Sequence, residues 1–168
     1  MLGALKGGFV ACPLFSAFGP EPIQQRMEIG EGCVLVTTPA LYRRKVAAIR
    51  DRLPALQHII LVGEGGGPVP PEQLPPGTLD LATLLSHADP WTPCALTGPE
   101  DMALLHFTSG TTGKPKGAVH VHQAVVYHHD SAAMALGLPI HDNWWQTETG
   151  GIMTAIPDFS RSFGVTFH

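Results

Sequence analysis

The sequence predicts an α/β fold built on a mostly parallel sheet. Two observations carry the prediction. Apolar runs at 33–37 and 58–62 flank a stretch with helical spacing, which is the pattern of a strand–helix–strand unit. A third apolar run, 103–107, opens directly into a stretch rich in Gly, Ser and Thr, as a buried strand does when it hands the chain to a loop.

Element by element, residues 9–14 read as a short apolar strand ending near Pro13. Gly19-Pro20 opens a helix over 22–28. Residues 33–37 form a continuous apolar strand. Thr38-Pro39 then starts a second helix, because Pro is preset for the first helical position. Its spacing places Leu41, Val46, Ile49 and Leu53 on one face and Arg43, Arg44, Lys45 and Arg50 largely on the other. Pro54 closes it, and 58–62 is the next buried strand. A crossover of this length makes the two strands parallel. Residues 63–77, with Gly65-Gly66-Gly67, Pro70-Pro71 and Pro75-Pro76, read as a connector. A helix is expected over 79–87, a strand over 103–107, its continuation over 117–121, and a helix over 123–136.

The chemistry concentrates at 106–117, His-Phe-Thr-Ser-Gly-Thr-Thr-Gly-Lys-Pro-Lys-Gly. Glycines here let backbone N–H groups approach an anion closely. Thr108, Ser109, Thr111 and Thr112 add hydroxyls, and Lys114 and Lys116 add charge on either side of the stiff Pro115. A Walker loop is excluded: Gly113-Lys114 is followed by Pro115, and the earlier glycine position is Thr108. No Gly-x-Gly-x-x-Gly dinucleotide fingerprint fits either. A second unusual stretch is 141–150, His-Asp-Asn-Trp-Trp-Gln-Thr-Glu-Thr-Gly. Adjacent tryptophans beside a hydroxyl and a carboxylate suit either a core pair next to a polar turn or a pocket wall next to phosphate and metal ligands.

Composition narrows the function classes. A chain of 168 residues, 44% hydrophobic, can bury one core. Only 14% of residues are charged and the net charge is −4, so no basic surface for nucleic acid is expected. No run is long and apolar enough for a membrane span, and the early apolar stretch is too short and Gly-rich for a signal peptide. A cytoplasmic location is expected. Cys12, Cys33 and Cys94 are scattered and odd in number, and read as buried small hydrophobes. Nine histidines include His120 and His122, which would share one strand face. No Cys or carboxylate accompanies them at ligand spacing, which argues against a transition-metal site.

The order Thr-Ser-Gly-Thr-Thr-Gly-x-Pro-Lys-Gly at 108–117 resembles the phosphate-binding signature of the adenylate-forming acyl- and aryl-CoA ligases. The Trp-Trp-Gln-Thr-Glu-Thr stretch is similar to the adenylate-binding loop of short-chain members, acetyl-CoA synthetases in particular. Gly3-Ala4-Leu5-Lys6 and the run Pro13 to Gly19 also resemble them, so the likeness covers most of 3–157. It implies a partial doubly wound, mostly parallel sheet of the family's N-terminal domain. It implies ATP, acetate or propionate, and coenzyme A as small-molecule substrates, with Mg²⁺, and no nucleic acid or membrane partner. Carried over, Thr108, Ser109, Gly110, Thr111, Thr112, Gly113, Lys114 and Lys116 would hold phosphates. Asp142, Asn143, Trp144, Trp145 and Gln146 would line the adenine side, with Trp145 closing the acyl pocket. Thr147 would serve the phosphates and Glu148 the metal.

The resemblance also breaks. In the family a large part of the catalytic domain lies between the two motifs, whereas here 117–141 runs straight from one to the other. The ending 158–168 does not continue the family pattern, and neither the ribose-binding Asp nor the C-terminal domain with its catalytic Lys is seen. The expectation is therefore a single partial AMP-binding domain over 1–168, with no catalytic residue assigned and no turnover in isolation. Two readings stand: a truncated, internally deleted AMP-forming ligase, or a non-catalytic nucleotide-binding remnant such as a pseudogene product.

Overall fold

The computed structural model describes residues 1–108, 114–124 and 126–127, together with the backbone of strands 140–145 and 152–157. It divides into two compact units, one of residues 13–93 and one of residues 1–12 with 94–168.

In the unit 13–93, three parallel strands run in the order β1 (Val34–Thr37), β2 (His58–Leu61), β3 (Leu79–Asp80). Leu35 pairs with Ile59 and Thr37 with Leu61, so the expected parallel crossover is present. The alternation of a strand sorts these side chains. Leu35, Ile59 and Leu61 face the core, and Ile59 and Leu61 are essentially inaccessible. Val34, Val36 and Leu79 stand on the opposite face and are exposed. A parallel sheet is ordinarily covered on both faces; here Val34, Val36 and Leu79 leave one apolar side exposed.

The core has two parts. Tyr42, Val46, Ile59, Leu61 and Val69 form one cluster. Ile23, Met27, Ile49 and Leu53 form the other, with helix Pro20–Ile29 supplying Ile23 and Met27. That helix starts as the sequence predicts, with Gly19 extended at its N-cap and Pro20 at its first position. Arg26 is buried on its inner side, donating to the Pro22 carbonyl at 2.9 Å and lying 4.2 Å from the Phe18 ring centroid.

The crossover is helical, as expected, but not one regular helix. Pro39–Leu41 is α-helical, Tyr42–Val46 is a π turn and Ala47–Arg52 is 3-10. Thr38 caps the start by accepting from Leu41 N at 3.3 Å. Tyr42, four residues before Val46 and seven before Ile49, takes the inward position expected of Leu41, while Val46, Ile49 and Leu53 are buried as read. Arg50 then reaches back to the Pro76 and Gly77 carbonyls at 3.3 and 3.1 Å. Gly77 has φ 71°, and a Cβ there would come within 3.0 Å of the Arg50 guanidinium, which accounts for glycine at that position.

The helix expected over 79–87 begins two residues late, as Leu81–His87, because Leu79 and Asp80 are taken into the sheet. Asp80 makes the junction. Its carboxylate accepts from the Thr83 hydroxyl at 2.7 Å, Thr83 N at 2.9 Å and Val69 N at 3.0 Å. The Thr83 hydroxyl, then Val69 N–H, hold its carboxyl below the usual 3.8. Folding thus favours the ionised form. The stability it contributes is complete above that ordinary value and disappears as pH falls through the lowered one. Replacing Asp80 by Ala is expected to lower the thermal midpoint at pH 7 and to leave it little changed at pH 2. An equal loss at both pH values, measured by circular dichroism, would refute the capping role.

In the other unit, β4 (Met102–Thr108) and β5 (Lys116–Val121) form an antiparallel hairpin. The strand expected over 9–14 reduces to one parallel bridge, Ala11 to Leu104. Ala11 N bonds Ala103 O and Leu105 N bonds Ala11 O, both at 2.9 Å. Pro13 has no N–H with which to extend that ladder. β6 (Ile140–Trp145) and β7 (Ile152–Pro157) make a second antiparallel hairpin. Of the helix expected over 123–136, only the first part lies within the described residues, where 122–124 and 126–127 are helical. The cysteines correct the sequence reading: Cys12, Cys33 and Cys94 are all exposed. Cys12 and Cys33 sit just outside an element beside Pro13 and Gly32, and Cys94 follows Pro93 in the irregular segment before β4. Among the described residues no helix is long and apolar enough to cross a membrane.

Candidate functional site: a Gly-rich loop at the tip of a hairpin

β4 buries Ala103 and His106, half-buries its other residues apart from the exposed Met102, and delivers Thr108 to the hairpin tip. β5 receives the chain back at Lys116. Thr108 and Lys116 are register partners, Phe107 faces Gly117 and His106 faces Ala118. Thr108 and Lys116 thus form the throat of the loop. A Cβ at Gly117 would lie 2.9 Å from Leu105 Cδ1, so this glycine gives the β4 side chain room. Lys114 and Lys116 are exposed and Pro115 between them is buried. A buried proline sets two water-facing ammonium groups at the loop's exit. Ser109, Gly110, Thr111, Thr112 and Gly113 lie outside the described residues.

The second predicted segment falls on β6. Asp142 pairs with Ile156, Asn143 with Ala155, Trp144 with Thr154 and Trp145 with Ile152, with register shifts between Ile140 and Asp142 and between Trp144 and Trp145. Gln146, Thr147 and Glu148 lie outside the described residues. The structure therefore brings Thr108 and Lys116 together. It places Asp142 to Trp145 on a separate two-stranded sheet.

One pair escaped the sequence reading. His106 and His120 pack ring to ring, with centroids 5.4 Å apart and planes at 66°. Burial, then the charge of His120, pushes the His106 imidazole below its ordinary 6.5. The pairing follows from the antiparallel register, and it is hidden when 117–121 is read only as a continuation of 103–107. His122, expected on the same strand face as His120, instead follows β5 at the start of a helical turn, with its N–H on the Asp101 carbonyl at 2.9 Å. No three His, Cys, Asp or Glu groups cluster as metal ligands among the described residues.

Residues 1–139 match the AMP-binding enzyme family. Acetyl-coenzyme A synthetase of Bacillus subtilis is 35% identical over 161 residues, covering 92% of this chain and 25% of that protein. Benzoate–CoA ligase of Thauera aromatica is 27% identical over 126 residues, 75% of this chain and 22% of that protein. The crystal structure of an anthranilate CoA ligase in complex with anthranoyl-AMP superposes with a TM-score of 0.66 at 26% identity, covering 82% of this chain and 24% of that one. The chain thus spans about a quarter of the length of the proteins it matches. Its mix of helices and strands with a parallel three-stranded sheet matches the N-terminal domain fold of this group, and the chain belongs to the AMP-binding enzymes, among the adenylate-forming acyl-CoA ligases.

Proposed function

We propose that this chain is the nucleotide-phosphate-binding part of an AMP-forming short-chain acyl-CoA synthetase, and that residues 1–168 make one partial AMP-binding domain. The observation that carries the reading is the throat of the loop, where exposed Lys116 stands opposite Thr108 on adjacent strands. Adenylation joins a carboxylate oxygen to the α-phosphorus of ATP as pyrophosphate leaves. Little covalent chemistry falls to the protein; positioning and neutralisation of phosphate charge do most of the work. Here the loop N–H groups and hydroxyls of 108–113 would cradle phosphate oxygens, and Lys114 and Lys116 would offset their charge. The Glu148 carboxylate has the hard oxygen donors that Mg²⁺ takes, which would balance the triphosphate. Coenzyme A would be the thiol acceptor of the whole enzyme. Calorimetric titration of the 168-residue chain with ATP and Mg²⁺ tests the reading: weak, saturable binding is expected, and no heat beyond dilution at millimolar ATP would end it.

The acid is proposed to be acetate or propionate, on the similarity to acetyl-CoA synthetases and on Trp145. An indole at a pocket end excludes longer chains by volume, since overpacking a closed site costs about 1–3 kcal/mol. In a full-length relative bearing the same Trp-Trp-Gln-Thr-Glu-Thr stretch, glycine at the position of Trp145 should shift preference toward longer acids. A preference that stays with acetate would remove Trp145 from the pocket. A second reading, nucleotide binding without turnover, is favoured by the short run of 117–141 between the two motifs. Acetate-dependent exchange of pyrophosphate into ATP separates the two: signal above background supports the enzyme, and binding without exchange supports the remnant.

A further inference from the structure

A cavity of about 420 Å³ opens at the N-terminal ends of β1 and β2, among residues that have no part in the phosphate loop. We infer that it binds a small organic cation, an ammonium group carrying a short apolar chain. The site belongs to the unit 13–93 alone and stands whether or not the loop at 108–117 takes nucleotide.

The chain builds the cavity from a helix end and a strand entry. The helix Pro20–Ile29 ends against it, and the turn that follows brings Glu31 to its wall. Gly30 N, Glu31 N and Gly32 N donate to the Arg26, Glu28 and Met27 carbonyls, which fixes that turn. The Cys33 carbonyl then accepts from Gln57 N at 2.9 Å and His58 N at 3.1 Å, tying the turn to the segment that enters β2. Met27 and Leu53 are buried in the core and, with half-buried Leu56, supply an apolar floor.

The rim is anionic. Glu28 and Glu31 both line the cavity and both are exposed. Glu28 Oε1 accepts from Gln24 Nε2 at 2.7 Å, a neutral partner that leaves its charge in place. Among the described residues no cation pairs with either carboxylate, and the basic neighbours Arg26, Arg52 and His58 lie outside the lining. The negative end of the helix macrodipole falls at the same rim. Charge therefore selects a cation, and the floor selects a tail. The volume falls within the range of small-molecule sites, about 300–1,000 Å³. A bare divalent ion suits the cavity less, because it takes about six oxygen ligands and half of this lining is apolar side chain.

NMR titration of the whole chain with n-butylammonium tests this. Amide shifts in 27–33 and 53–57 should saturate in the millimolar range and weaken with added salt. Butyrate should give no such shifts. Methylammonium should bind roughly tenfold more weakly, since it lacks the methylenes that the floor would cover. Equal shifts with butyrate, equal affinity for methylammonium, or tighter binding of Ca²⁺ would overturn the site. Glu31→Gly separates binding from folding. Glu31 has φ 47°, a conformation that glycine takes without strain. The thermal midpoint should hold or rise while butylammonium affinity falls roughly two- to fivefold, the worth of an exposed ion pair. An unchanged affinity would remove the rim from the argument and the proposal with it. Cys33 gives a measurement on the unmodified chain, since its thiol is exposed and lines the cavity. Saturating butylammonium should slow its alkylation by iodoacetamide and leave Cys94 unaffected. No slowing at Cys33, or equal slowing at both cysteines, would count decisively against a bound cation.

Discussion

Leu61→Ala should be the most damaging single core substitution in the unit 13–93, lowering the unfolding free energy by about 2–5 kcal/mol. Leu61 is 0% exposed in the central strand of the parallel sheet. It packs within the cluster of Tyr42, Val46, Ile59 and Val69, drawn from the crossover, the same strand and the connector. Truncation leaves a cavity that three different segments would have to close, and the sheet ladder on either side, to Thr37 and Asp80, resists collapse. Against a total stability of about 5–15 kcal/mol for an ordinary domain, such a loss brings the unit close to unfolding at body temperature. Val36→Ala is the control. It lies one residue from the end of β1 on the uncovered face and is 56% exposed, so the change should stay within about 0.5 kcal/mol. Urea titrations of both variants give the comparison. Similar midpoints would mean that the inner face of the sheet is not the core.

The contrast between those two positions shows what was legible. The continuous apolar runs at 33–37 and 58–62 marked the strands, and the amphipathic stretch between them marked the parallel crossover, because both signals are local. The sequence marks 108–117 as a candidate phosphate loop by its glycines, hydroxyls and lysines, and of these the structure describes Thr108 and 114–117. Three inward positions of the crossover, Val46, Ile49 and Leu53, were legible, and the first was not. Tyr42 is buried where Leu41 was expected; both are large apolar side chains one residue apart, and composition does not choose between them. Exposure of the cysteines was equally hidden: free Cys is a common core residue, yet all three lie outside helices and strands here. The His106–His120 contact needed the antiparallel register of β4 and β5. Composition shows nine histidines and nothing of which two will meet.

Lys116→Ala should weaken ATP binding roughly tenfold or more while leaving adenosine binding unchanged. The ammonium group stands at the loop throat, exposed and opposite Thr108, where it can meet phosphate oxygens but has no neutral partner to lose. A hydrogen bond to a charged group is worth about 1.5–3 kcal/mol, and exposure places this one near the lower end. Two features separate a phosphate contact from a general loss of structure. First, ATP affinity in the wild-type chain should fall with added salt, and the variant should fall less, because one screened charge pair has gone. Second, Lys116→Arg should restore part of the affinity, since charge is kept while the guanidinium fork is wider than an ammonium. The β5 backbone is unchanged by either substitution, so hairpin protection in hydrogen exchange should remain as in the wild type. Calorimetry in which Lys116→Ala weakens ATP and adenosine equally would remove Lys116 from the phosphate site, and an unchanged ATP affinity would remove the loop.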